Sequence, residues 1–189
     1  MKGLVIIDMQ NGFLKDNAPI FVPNGKSIVK KIKRAIEFCR KEKIQLIWTQ
    51  IYIDDFRDTQ YQSLFPDHFY KKTTVLSKGS DNYAIIKDLT VLIDETVDLI
   101  VEKNTYSAFI GSELDSILRK NKITDLYFAG VTTNVCVESS LRDAFQLGYN
   151  SYLIKDCTKT FNEDYQRLSE EIISFVFGHV ITLTNFIDQ

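Results

Sequence analysis

Two short apolar runs on either side of one amphipathic stretch constrain this chain more than any other feature. Leu4-Val-Ile-Ile7 stops at Asp8-Met-Gln-Asn-Gly12, the pattern of a parallel strand buried on both faces and ending in a loop. Over residues 26–43, Ile28, Ile32, Ala35, Ile36 and Cys39 recur at helical spacing with Lys and Arg between them. That predicts a helix with one apolar face. Ile44-Gln-Leu-Ile-Trp-Thr49 then predicts a second strand. Strand, helix, strand in this order forms a right-handed crossover, so the expected scaffold is a parallel sheet.

The alternation continues along the chain. A helix is expected over residues 83–93, a third strand over 98–103, a helix over 112–120 and a fourth strand over 125–131. Val137, Leu141, Ala144 and Phe145 then mark a helix that stops at Gly148. A fifth strand follows at 149–154, a helix at 163–177 with Leu168, Ile172, Phe175 and Val176 on its apolar side, and a sixth strand at 179–183. The fold class is α/β: one three-layer α/β/α domain spanning residues 1–189. Residues 52–83 break the alternation, being polar, aromatic and charged by turns. A stretch this long inside a domain reads as a lid or binding loop, or as an oligomer contact. Arg57, Lys71 and Lys72 within it are candidates to pair with a substrate carboxylate, with solvated surface as the alternative.

A net charge of −2 without basic runs argues against nucleic acid and anionic membrane as partners. The N-terminal apolar run is too short for a signal peptide or a membrane span, so the expected location is cytoplasmic. Three cysteines with no C-x-x-C pair fit free thiols in a reducing compartment. Cys39 belongs to a core stripe, and Cys157, after the fifth strand, reads as packed, with a rim thiol as the alternative. No G-x-G-x-x-G follows the first strand, which disfavours a dinucleotide cofactor. Gly25-Lys-Ser27 resembles the end of a P-loop, but Ile20 stands where that motif needs its first glycine. No cofactor is expected.

Chemistry concentrates at one edge. In a parallel sheet every strand delivers its C-terminal end to the same rim, so Asp8, Lys103 and Cys136 converge from three strands. A carboxylate, an ammonium and a thiol there supply a base, a cation and a nucleophile. Cys136 is expected in the first turn of a helix, where unpaired N–H groups favour a thiolate and can face an oxyanion.

Asp8-Met-Gln-Asn-Gly-Phe13, Glu102-Lys-Asn-Thr-Tyr-Ser-Ala-Phe109 and Gly130-Val-Thr-Thr-Asn-Val-Cys-Val-Glu138 resemble the three motif blocks of the isochorismatase-like cysteine hydrolases. The resemblance spans nearly the whole chain. It implies a Rossmann-like six-stranded parallel sheet of order 3-2-1-4-5-6, an Asp8–Lys103–Cys136 triad and hydrolysis of an amide-type C–N bond. It further implies a cis Val131–Thr132 peptide, an oxyanion hole from the N–H groups of Thr132 and Cys136, and a substrate pocket lined by Phe13, Tyr106 and Phe109. A homodimer or homotetramer is the family habit. The block from Thr132 to Phe145 is similar to ureidoacrylate and related carbamoyl amidohydrolases, which implies a small amide, ureide or carbamoyl substrate. Nicotinamidases of the family hold a metal through an Asp-x-His pair after the second strand. Ile51-Tyr52-Ile53 stands there instead, and the chain has only His68 and His179, so no metal site is expected. A nicotinamidase-like amidase, a redox-reactive thiol protein and a non-catalytic homologue are the alternatives.

Overall fold

Strand β1 (Lys2–Ile7) is buried along both faces from its second residue onward, which is why its run is continuously apolar. The structure, a computed structural model, describes residues 1–53 and 76–188. Arg57, His68, Lys71 and Lys72 lie outside the described residues. After β1 come a single turn α1 (Asn11–Leu14), a 3₁₀ turn (Gly25–Ile28) and helix α2 (Val29–Glu42). Ile32, Ala35, Ile36 and Cys39 are buried along α2, as its spacing predicts. The helix stops at Lys43, which turns left-handed at φ 55° and donates its N–H to a carbonyl of the last turn.

Next are β2 (Gln45–Ile51), a turn α3 (Lys87–Thr90), β3 (Leu99–Lys103), α4 (Leu114–Lys120) and β4 (Asp125–Val131). A π-helical turn (Thr133–Val137) leads into α5 (Glu138–Gln146). The chain continues through β5 (Asn150–Lys159), α6 (Glu163–Ile172), a second π-helical turn (Ile173–Phe177), β6 (His179–Ile181) and α7 (Leu183–Ile187). The six strands form one sheet of order β3-β2-β1-β4-β5-β6 with every pairing parallel. Helices cover both sides.

Three local expectations need correction. The helix expected over 83–93 contracts to α3, because Ile85 bridges Gln10 and the Ile86 N–H donates to the Met9 carbonyl. Their backbone is drawn into extended pairing. Second, β5 runs on to Lys159 across a register shift: Phe128 faces Leu153, but Gly130 faces Thr158. Cys157 is therefore inside the strand and buried, and Asp156 caps α7 by accepting the Leu183 N–H at 2.9 Å.

The last correction concerns the face of α6. Leu168, Phe175 and Val176 are exposed, Phe175 by 85%, whereas Gln166, Ser169 and Ile173 point inward. A polar network claims the buried side: Gln166 accepts from the Thr133 hydroxyl at 2.7 Å and donates to Thr158 and Glu170. Phe145 is likewise exposed, with its ring edge-on to Phe177.

Gly130 lets β4 approach β1. It has φ 112°, and a Cβ on it would lie 2.1 Å from the Ile7 carbonyl oxygen. Gly130→Ala should lower the unfolding free energy by on the order of 3 kcal/mol or more, because neither the backbone conformation nor the space admits a methyl. Urea denaturation checks this, and a loss below about 1 kcal/mol is inconsistent with so close a contact.

Candidate active site

Three strand ends converge on one buried cluster. Asp8 follows β1 in a left-handed conformation at φ 48°, Lys103 is the last residue of β3, and Cys136 is the fourth residue of the π turn after β4. All three are buried. The Lys103 ammonium donates to Asp8 Oδ2 at 2.6 Å and to the carbonyls of Thr105 and Tyr106 at 3.1 and 3.0 Å. Cys136 lies close enough to Asp8 and Lys103 for each to act on its thiol electrostatically. The structure thus places the three side chains expected at the sheet rim in one cluster.

The supporting groups were largely missed. Thr49, near the end of β2, accepts the Asp8 N–H at 3.1 Å and donates its hydroxyl hydrogen to Asp8 Oδ1 at 2.6 Å. Ser140, one turn into α5, donates to the Cys136 carbonyl at 2.7 Å and accepts the Ala108 N–H at 3.0 Å. It thus ties the cysteine turn to the loop that holds the lysine. Gln10, fully buried, pairs with both the N–H and the C=O of Ile51 and also donates to the Tyr83 carbonyl. No sequence pattern marks these residues, because each becomes relevant only through strand register or loop closure.

The expected pocket residues divide. Phe13 is buried in the core on α1. The Phe109 ring packs against Tyr149 at 5.9 Å, as a core side chain does. Tyr106, half-buried, reaches the cluster through its backbone carbonyl. Thr132 is buried before the π turn, and its carbonyl accepts from the N–H groups of Val135 and Val137. The Val131–Thr132 peptide is cis.

Charge is distributed differently from the expectation at Cys136. Burial, with the Asp8 carboxylate adding to it, pushes the thiol up to about 12 against the opposing pull of Lys103. A helix N-terminus does not prevail over desolvation at this depth, so the resting group is a thiol, not a thiolate. Burial also pulls on Lys103, in the downward direction, but the Asp8 carboxylate, joined by Cys136 once that thiol ionises, outweighs it and holds the ammonium above its ordinary value. The cluster at rest is an ion pair beside a neutral thiol.

Lys103 bonds the carboxylate directly, and the end of β2, where family members with a metal carry their Asp-x-His pair, presents Ile51, Tyr52 and Ile53. Among the described residues no three His, Cys, Asp or Glu side chains converge as a metal site.

Residues 2–185 match the isochorismatase domain. The chain belongs to the isochorismatase family. It is a hydrolase of that family, and its relatives include the ureidoacrylate amidohydrolase RutB of Rhizobium rhizogenes, 30% identical over 97% of this chain and 80% of that protein. An isochorismatase-like hydrolase from Alkaliphilus metalliredigens superposes with a TM-score of 0.84 at 26% identity, covering 100% of this chain and 98% of the other. A cysteine hydrolase from Pseudomonas syringae pv. phaseolicola shares the fold, with a TM-score of 0.88, 24% identity and coverage of 99% and 91%.

Cys39 and Cys157 are also pushed up to about 12 by burial. From an ordinary value of 9.0, each of the three thiols keeps its proton in the folded protein at a pH where the unfolded chain loses it. Stability should therefore fall as pH rises from 9 toward 12, by about 1.4 kcal/mol per pH unit for each thiol once its unfolded form is ionised. Lys103 adds a loss of the same sign as pH climbs through its raised folded value. Urea midpoints measured between pH 8.5 and 10.5 test this, and Cys157→Ala should flatten the decline. A midpoint independent of pH over that window contradicts the assignment.

Proposed function

We propose that this protein is a metal-independent cysteine amidohydrolase that cleaves the C–N bond of a small amide, ureide or carbamoyl compound through a thioester. One observation carries the reading: a buried thiol beside a carboxylate that is itself paired to a lysine at 2.6 Å. Such a thiol is a poor nucleophile alone. It requires a base beside it, and Asp8 is that base.

In the first half-reaction the Cys136 S–H bond breaks as its proton passes to Asp8, and the sulfur electron pair attacks the substrate carbonyl carbon. Negative charge moves from carboxylate to sulfur to the carbonyl oxygen, and Lys103 stays within reach of the first two of these positions. The N–H groups of Thr132 and Cys136 hold the tetrahedral oxyanion. Its collapse breaks the C–N bond, and Asp8 returns the proton to the leaving amine. In the second half, Asp8 takes a proton from water, hydroxide adds to the thioester, the C–S bond breaks and Cys136 recovers its proton. Acid and amine are the products, and a carbamate product decays to ammonia and carbon dioxide. The ureidoacrylate amidohydrolases that this chain resembles at 30% identity support the amide and ureide class.

The test is ammonia release from a panel of primary amides, N-carbamoyl amino acids and ureidoacrylate. Wild-type protein should turn over at least one member, Cys136→Ala none, and Asp8→Asn should fall by on the order of 10²-fold or more, since the thiol and leaving amine lose their proton carrier. Exhaustive chelation should leave the rate unchanged. Full hydrolysis by Asp8→Asn refutes the base assignment, and abolition by chelator with recovery on zinc favours a nicotinamidase-like enzyme.

A further inference from the structure

The Asp8 carboxylate is not symmetric in its surroundings. Oδ1 accepts from the Thr49 hydroxyl at 2.6 Å, and Oδ2 accepts from Lys103 Nζ at 2.6 Å. Thr49 is buried, and its hydroxyl carries one hydrogen. The Asp8 N–H already donates into that oxygen at 3.1 Å, so the hydroxyl hydrogen is directed to Oδ1. Both side-chain hydrogen bonds of Thr49 go to the same aspartate.

This arrangement treats the two oxygens differently when a proton arrives. A proton on Oδ1 would point at the Thr49 hydroxyl hydrogen, and relieving the clash means turning that hydrogen toward the Asp8 N–H, which is itself a donor. Oδ2 faces a partner that can yield. Lys103 has three N–H hydrogens, which go to Oδ2 and to the Thr105 and Tyr106 carbonyls, and Cys136 lies close enough to act on its charge. When Oδ2 becomes protonated, the ammonium can release it and turn that hydrogen to the newly formed thiolate.

We propose that Thr49 is a positioning residue that confines the travelling proton to Oδ2 of Asp8, and so couples proton transfer to the movement of the Lys103 hydrogen bond from oxygen to sulfur. The step balances: the S–H bond breaks, the Oδ2–H bond forms, the electron pair stays on sulfur, and the net charge of the cluster is unchanged. The inference rests on Asp8 acting as the base of the proposed amidohydrolase.

Thr49→Val removes the hydroxyl with little change of shape, and Thr49→Ser retains it. With the panel compound that the wild type hydrolyses fastest, Thr49→Val should lose roughly 10-fold or more in kcat, a part of what a general base supplies, while KM stays within about twofold. Thr49→Ser should recover kcat to within about threefold of wild type. Packing alone would not separate these variants in that direction, since valine keeps the branched shape and serine does not. Wild-type kcat in Thr49→Val, or equal impairment in Thr49→Ser, overturns the proposal. If Asp8→Asn is inactive while Thr49→Val is normal, only the role of Thr49 fails; if Asp8→Asn is fully active, the base assignment fails and this inference with it. Neutron diffraction on the unaltered protein does not depend on any variant folding. It should find the Thr49 deuteron on the Oδ1 side, and a deuteron on Oδ1 itself, or a hydroxyl turned elsewhere, refutes the proposal.

Discussion

The buried ion pair between Asp8 and Lys103 is the constraint on which the site depends. Both side chains are withdrawn from water, and an isolated buried charge at either position costs several kcal/mol. Removing one partner from such a pair typically costs about 3–5 kcal/mol, because the other charge is left uncompensated. The pair therefore persists only where the rest of the structure completes its hydrogen bonds. Thr49 and two loop carbonyls do so, and among the described residues no buried side-chain nitrogen or oxygen lacks a partner.

That requirement reaches outward through the backbone. The Thr105 and Tyr106 carbonyls can face Lys103 only if the loop after β3 folds back, and Ser140 holds the fold-back by bonding Ala108 to the carbonyl of Cys136. The cysteine is thus positioned by the same loop that satisfies the lysine. On the other side, Gln10 anchors the end of β2, so that Thr49 stays in register with Asp8. A polar network of this kind, fully satisfied, defines one arrangement where apolar packing alone tolerates several.

The same preference for polar satisfaction over apolar burial reorients α6. Its apolar residues predict one inward face, yet Gln166 is the residue turned inward, where it bonds Thr133 at the start of the cysteine turn. Leu168 on α6, and Phe175 and Val176 in the π-helical turn after it, are exposed.

The sequence by itself determined the sheet and the three groups at its rim. Continuous β-branched runs are buried on both faces, crossovers have one hand, and parallel strands end on one edge, so Asp8, Lys103 and Cys136 share a rim, and the strand order that the motif blocks imply brings them near one another. Tertiary structure alone decided the rest. Thr49 matters because β2 pairs with β1 in a particular register, Ser140 because a loop some thirty residues upstream in the chain closes onto it, and the thiol stays protonated because burial outweighs the nearby cation. Periodicity records which face of an element is apolar. It holds no information on which distant hydroxyl fills a lone pair, or on how far a charge stands from water, and those are the quantities that set the chemistry of the site.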